Sequence, residues 1–263
     1  MSFVQHAYYA VTAVALAAGP VGYFVVLRRQ AFAAHAIGHV GFAGAAGAVL
    51  IGISPVAGLL VFCLGAGLLI GVGGAELDDR DAVVGVTLTA ALGLGVLFIS
   101  LYTGYANATY SILFGQILGV TWIDVYLVGA LSLGVLAVLS FSYRPLLYVS
   151  VDARAGEARG LSVRGLSLLF MVLLALTTVV AIQIVGVLLV FSLLVAPAAA
   201  AERLSNRPRR AILLASAIAL ASAWLGLLIA VWWGGPVSFW ITALASSAYL
   251  AARLGRRPAR AAA

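Results

Sequence analysis

Apolar residues occur in this sequence in long stretches, each separated from the next by a few polar or charged positions. A stretch of roughly 20 apolar residues matches a helix that crosses the hydrocarbon core of a bilayer. The pattern predicts such helices over residues 7–27, 32–52, 55–75, 82–103, 121–143, 164–182, 184–202, 211–232 and 236–253. We expect about eight to ten spans, with nine favoured, because the run 164–202 either turns near Gln183 and Gly186 or forms one kinked helix.

The longest segments between these stretches are 104–120, 144–163 and 203–210. The first carries aromatic and amide side chains around 111–114, and it predicts an external loop with a short re-entrant or interfacial helix near 110–117. None of the three is long enough to form a soluble domain of its own. We therefore expect an all-α polytopic membrane protein in which residues 1–263 form a single transmembrane domain.

Composition supports a membrane protein. Hydrophobic residues make up 64% of the chain and charged residues only 9%, with a mean hydropathy of +1.16. A soluble domain carries about 25% charged residues, so this chain could not cover a soluble surface. The composition excludes a soluble enzyme, a disordered chain and a nucleic-acid-binding domain, although the net charge is +7. We expect membrane lipid rather than nucleic acid to contact the basic residues.

All 15 basic residues are arginine, and they cluster in the segments between apolar stretches. Basic clusters of this kind mark cytoplasmic loops. Nine spans would place every cluster on one side, with the N-terminus outside and the C-terminus inside. The absence of lysine also excludes a phosphate-binding loop, so any ATPase that drives this protein must be a separate chain.

Two histidines stand out in the predicted second span. His35 and His39 are four residues apart, so they share one face of a helix and could together hold a transition-metal ion. One helix offers only two of the roughly four ligands that zinc prefers, and Cys63, the lone cysteine, lies in an apolar run. The other ligands would come from a second copy of the chain or from water. The alternative is a structural pair that is hydrogen-bonded inside the helix bundle, and we favour the metal.

Acidic residues give weaker signals. The segment 76–81, ELDDRD, could bind a divalent ion through its carboxylates, but a solvated turn before a helix explains it better. Asp124 stands near the end of a span and could help a metal ion enter. The polar segment 151–164 could form a short helix that ends at Gly160, because glycine commonly ends helices.

Four segments resemble the permeases of metal-type ABC importers, which carry zinc, manganese or iron. They are VVLRRQAFAAHAIGHVG (25–41), YSILFGQILGVTWID (110–124), SYRPLLYVSVDARAGEARGLSVRGLSLL (142–169) and AIQIVGVLLVFSLLVAPAAAAERLS (181–205). The resemblance extends over nearly the whole chain, in order. It implies a multi-pass protein of the bacterial plasma membrane that forms a homodimer with two cytoplasmic ATPases and receives metal from an extracytoplasmic binding protein.

The resemblance also assigns residues. His35 and His39 fall where the family usually has an aspartate and a histidine, and the region that couples to the ATPase falls on Asp152, Glu157, Arg159, Gly160 and Leu161. An imidazole in place of the carboxylate favours Zn²⁺ over Mn²⁺. We therefore expect a zinc permease with no permanently bound cofactor, and a manganese or iron importer of the same family is the alternative.

Other classes of membrane protein fit less well. A channel or secondary carrier that is not driven by ATP would usually show more acidic residues within its spans. A membrane scaffold would need no histidine pair, and a transporter of a metal already bound to an organic ligand would not need two bare imidazoles.

Overall fold

A computed structural model of the chain describes residues 2–73, 80–102, 115 and 117–255. This described part holds ten α-helices, one short 3-10 turn at Ile117–Gly119 and no strand. The α-helices are α1 (Ser2–Leu27), α2 (Ala31–Leu50), α3 (Pro55–Gly73), α4 (Arg80–Leu101), α5 (Trp122–Val151), α6 (Ala153–Ala158), α7 (Val163–Val185), α8 (Val187–Leu204), α9 (Pro208–Trp233) and α10 (Val237–Gly255).

The long helices follow the apolar stretches of the sequence. Eight of those in the described part are long and apolar enough to cross a membrane, which confirms a polytopic all-α bundle. The predicted stretch 184–202 is a separate helix, α8, of 18 residues with Glu202 and Arg203 in its final turn. The count of nine membrane spans therefore stays a prediction. The eight helices found lie within the expected range of eight to ten spans.

The break inside the run 164–202 falls at Gly186. Gln183 remains in the last turn of α7, and Gly186 has a φ of +86°, a backbone conformation that glycine adopts without steric cost. The Gly186 N–H still donates to the carbonyl of Ile182, so α7 ends there and α8 starts at the next residue. The prediction of a division near Gln183 and Gly186 is confirmed, and the break itself falls at Gly186.

Helix α5 is longer than the sequence pattern predicts. The apolar stretch suggested an end near residue 143, whereas the helix continues through Pro145 to Val151. Leu146 and Val149 are buried against the bundle, and their packing stabilises two more turns. The polar segment after the span is therefore shorter than expected.

One contiguous hydrophobic cluster contains residues from every long helix. Helices α2 and α3 approach most closely where Gly44 faces Gly58, because a Cβ on either glycine would overlap the carbonyl oxygen of the other. Small residues allow such backbone contact between membrane helices. This contact fixes α3 against one face of α2.

Contacts between distant parts of the chain mark the two ends of the bundle. At one end, the guanidinium of Arg28 donates to the hydroxyls of Ser150 and Ser167, which joins the end of α1 to α5 and α7. At the other end, the ring of His6 lies against Trp122, with centroids 4.4 Å apart. This arrangement agrees with arginine segments that gather on one side of the membrane.

Some predicted features lie outside the described residues. Most of the predicted helix near 110–117 is among them; Gly115 and Ile117 are described, and Ile117 begins the 3-10 turn. The acidic positions Glu76, Asp78 and Asp79 are also outside. Asp81 is described and lies in the first turn of α4, where a carboxylate favourably opposes the helix dipole.

Candidate functional site: a histidine pair on helix α2

Helix α2 brings the two imidazoles together as the spacing predicted. The ring centroids of His35 and His39 are 4.5 Å apart, and the ring planes meet at 75°. Rings this close can turn nitrogens toward a common point above the helix face. The pair therefore supplies two nitrogen donors from a single turn of helix.

The pair points away from α3. Ile37 and Gly41 form the face of α2 that meets α3: the thiol of Cys63 donates to the carbonyl of Ile37 at 3.5 Å, and a Cβ on Gly41 would lie 2.6 Å from the Cys63 sulfur. Each histidine is two residues from Ile37, or about 200° around the helix. The imidazoles therefore lie on the opposite face from this contact.

On that face the pair meets α8. The ring of Phe191 lies edge-on to the ring of His35, with centroids 5.1 Å apart and planes at 77°. Phe191 covers one side of the pair with an apolar surface and offers no hydrogen bond. Sequence reasoning missed this residue, because nothing in an apolar stretch indicates which aromatic ring meets another helix.

The rest of the histidine face is partly exposed. Both imidazoles are half-buried, Phe32 one turn earlier is 45% exposed, and Phe42 one turn later is half-buried. Among the described residues, no hydrogen bond to either imidazole is found. We call this strip of Phe32, His35, His39 and Phe42 the histidine stripe, and its Phe42 ring lies beside Gly95 of α4.

The described part of one chain does not complete a metal site. No group of three or more histidine, cysteine, aspartate or glutamate side chains in that part could hold an ion. Zinc prefers about four ligands, so two imidazoles can hold it only with ligands from elsewhere. That a second copy of the chain or water supplies the other ligands stays a prediction.

Asp124 caps the start of α5 and joins it to α7. Its Oδ2 accepts from the backbone N–H and the hydroxyl of Thr121, which forms a capping box at the start of α5. Its Oδ1 accepts from the side-chain amide of Gln183 at 3.1 Å, and this bond joins α5 to the last turn of α7. These bonds use both carboxylate oxygens, and a role in metal entry stays a prediction.

The predicted coupling region begins with a short helix. Asp152 ends α5 and caps α6, because its Oδ1 accepts from the backbone N–H of Ala155 at 2.9 Å. Asp152, Glu157, Arg159 and Gly160 are exposed, and Leu161 is half-buried. The guanidinium of Arg159 lies 4.7 Å from the ring centroid of Tyr148, which ties the end of α6 back to α5.

A glycine ends this helix as the sequence predicted. Gly160 has a φ of +77°, its N–H donates to the carbonyl of Glu157, and the N–H of Leu161 donates to the carbonyl of Gly156. These two bonds form a Schellman motif, in which glycine is the preferred residue at the position of positive φ. Asp152 and Gly160 therefore set the two ends of α6 and turn the chain into α7.

Comparisons with known proteins agree with this arrangement. A model of the ABC 3 transport family matches residues 1–256. The manganese import system permease protein ScaB of Streptococcus gordonii is 33% identical over 228 residues, which are 86% of this chain and 82% of ScaB. The high-affinity zinc uptake system membrane protein ZnuB of Buchnera aphidicola is 27% identical over 222 residues, which are 84% of this chain and 85% of ZnuB.

A solved structure has the same fold. A chain in the structure of PsaBC from Streptococcus pneumoniae in complex with Fab has a TM-score of 0.85 to this chain at 30% identity. The match covers 96% of this chain and 91% of that chain. The likeness therefore includes nearly the whole bundle.

Proposed function

The chain belongs to the ABC 3 transport family, and from that membership we propose that it is the permease subunit of an ATP-driven importer of zinc. At the level of the family, it is a multi-pass membrane permease of a metal-type ABC importer rather than an enzyme in its own right. The proposal adds the metal, the pathway and the partners.

The observation that carries the zinc assignment is the open pair of imidazoles on α2. Imidazole nitrogen suits zinc, whereas manganese prefers carboxylate and other oxygen ligands. His35 and His39 offer nitrogen only, and no carboxylate joins them in a group of three ligands within the described residues. We propose that Zn²⁺ is the transported substrate and that this pair binds it transiently.

Two copies of the chain would complete the pathway. Half-buried imidazoles without hydrogen-bond partners are costly against lipid, so a protein surface that covers the histidine stripe stabilises it. Two stripes facing each other across a twofold axis supply four imidazoles, which meets the ligand number of zinc. Transport also requires release, and we expect a site that water can enter rather than a closed structural one.

The proposed partners follow from the two ends of the bundle. The exposed helix α6 and its capped turn form a compact cytoplasmic projection that two copies of an ATPase could engage, one on each permease. An extracytoplasmic binding protein would deliver the metal at the opposite end. The permease then alternates the access of the histidine pair as the ATPases close and open.

Manganese is the second candidate because of the relatives. ScaB, whose name gives manganese as its substrate, is more similar to this chain than ZnuB, whose name gives zinc. If manganese were the substrate, water or backbone oxygens would have to supply the oxygen ligands that the histidine pair lacks.

Reconstitution with the ATPase and the binding protein tests the proposal. We expect vesicles that contain the complex to accumulate zinc only with ATP, and excess manganese to compete weakly. Zinc uptake that persists with an ATPase unable to hydrolyse ATP would instead indicate a secondary carrier or channel. Uptake of manganese in preference to zinc would contradict the metal assignment alone.

A further inference from the structure

A cavity of about 410 Å³ lies at the arginine-bearing end of the bundle, where the end of α1 meets α3, α5, α6 and α7. Three arginines line it, Arg28, Arg154 and Arg164, and Glu157 is the acidic side chain among its described lining residues. Among these described lining residues, three positive charges against one negative favour an anion over a cation.

Arg28 is held in a fixed position on the cavity wall. One guanidinium nitrogen donates to the hydroxyl of Ser167 at 2.7 Å and the other to Ser150 at 3.3 Å. The guanidinium carbon also lies 5.3 Å from the ring centroid of Phe170. A cationic group that is already ordered loses little conformational entropy when an anion binds beside it.

The first turn of α7 adds to the positive potential. Val163, Arg164 and Ser167 line the cavity, and Val163 is the first residue of this 23-residue helix. The N-terminus of a helix carries a partial positive charge and favours anions. The last turn of α5 faces the same cavity with the opposite dipole, and the arginines outweigh it because they carry full charges.

We propose that this cavity binds a phosphate-bearing anion, and that the headgroup of an anionic phospholipid supplies it in the membrane. Arginine pairs with phosphate through two parallel hydrogen bonds, which gives both strength and orientation. Basic pockets between membrane helices on the cytoplasmic side are suited to anionic headgroups. Because Ala153, Arg154 and Glu157 of α6 form one wall, a bound headgroup braces the coupling helix against α1 and α7.

Lipid titration of the purified full-length chain tests this site. We add phosphatidylglycerol, phosphatidylcholine or inorganic phosphate separately at constant ionic strength. For each addition we measure the melting temperature of the protein, and we measure the lipid that stays bound by native mass spectrometry. We expect phosphatidylglycerol to raise the melting temperature and to stay bound, and phosphatidylcholine to do neither. Stabilisation by inorganic phosphate as well would show that a free phosphate also fills the site.

Three variants separate the cavity from general surface charge. Arg164→Gln and Arg28→Gln each remove one cavity arginine, and each should weaken phosphatidylglycerol binding by roughly tenfold, as expected for one charge-assisted hydrogen bond. Arg253→Gln removes an equal charge from the last turn of α10, away from the cavity, and should bind like the parent. Arg164 is exposed, so its variant remains informative if Arg28→Gln fails to fold.

Three results would overturn the proposal. They are equal binding of phosphatidylcholine, equal loss of binding in all three variants, and no binding of any phosphate compound to the parent. A fourth result would assign the cavity to a protein contact instead. In that result, binding of the ATPase in the absence of lipid protects the cavity arginines from a chemical reagent that modifies arginine.

Discussion

His35 and His39 combine two properties that rarely occur together inside a membrane. They are half-buried in an apolar bundle, and no hydrogen bond to either ring is found in the part of the chain that the structure describes. A polar group kept in this state is a functional candidate, because its cost to stability must be offset by a role. Phe191 on one side and an open surface on the other leave one direction from which a ligand can approach.

His35→Asp tests which chemistry sets the selectivity. The substitution restores the carboxylate that the family usually has, and carboxylate oxygen suits manganese better than imidazole does. We expect the ratio of zinc to manganese uptake to fall by roughly tenfold, which corresponds to about 1.4 kcal/mol of differential binding. Uptake of radiolabelled zinc and radiolabelled manganese by the reconstituted complex measures this ratio. An unchanged ratio would assign the selectivity to the binding protein.

Metal binding through imidazole also predicts a dependence on pH. Only the neutral ring can ligate a metal ion. Protonation competes with zinc, so zinc binding by the permease should weaken as the pH falls. Zinc titrations of the purified chain between about pH 5 and 8 measure the effect. Equal affinity across this range would point to ligands other than histidine.

The short helix α6 is defined at both ends by single residues. Asp152 caps its start, and Gly160 ends it through a Schellman motif at a φ of +77°. A six-residue helix has little stability of its own, so these caps and the contact of Arg159 with Tyr148 hold its position. In the proposed coupling to the ATPase, α6 can transmit force to the bundle only while its caps are intact.

Substitution at Gly160 should uncouple the transporter. Valine strongly disfavours positive φ, so Gly160→Val should disrupt the turn, whereas asparagine tolerates this conformation. A Cβ at this position would meet no neighbouring atom within 4 Å, so backbone conformation and not crowding separates the two variants. We expect Gly160→Val to lose most ATP-driven uptake and Gly160→Asn to retain most of it, at equal expression. Equal uptake by both variants would remove the turn from the coupling mechanism.

The sequence predicted the elements better than their contacts. Apolar length located the long helices, and Gly160 indicated where the short one ends, because glycine commonly ends helices. The end of α5 was misplaced because burial of Leu146 and Val149 extends the helix beyond its apolar stretch. The contacts of Phe191 with His35 and of Gln183 with Asp124 join residues far apart in sequence, and no local pattern encodes them.

Helix α2 has two faces with different surroundings in the bundle. One face is fixed against α3 through Gly44 and Gly58, and the opposite face carries the histidine stripe. A helix that is fixed on one side and carries two imidazoles on the other is suited to pairing with a copy of itself. The proposed zinc pathway therefore requires two protomers.

Disulfide crosslinking tests this pairing. In a Cys63→Ser background, Phe32→Cys places a thiol on the stripe, and Leu213→Cys places one on α9, where it is 70% exposed. We expect oxidation in native membranes to trap dimers through position 32 and far fewer through position 213. Equal trapping at both positions would indicate random collision, and a monomer that transports zinc would rule out a shared pathway.

The central claim is that the imidazoles of His35 and His39 carry the metal through the membrane. The most direct measurement is ATP-driven uptake of radiolabelled zinc by the reconstituted complex that contains His35→Ala, His39→Ala or the control His6→Ala, which removes the histidine beside Trp122. We predict that each α2 variant loses about tenfold or more of the uptake at low zinc, equivalent to at least about 1.4 kcal/mol, while the control stays near the parent. Parental uptake by both α2 variants would contradict the account and would make the pair structural.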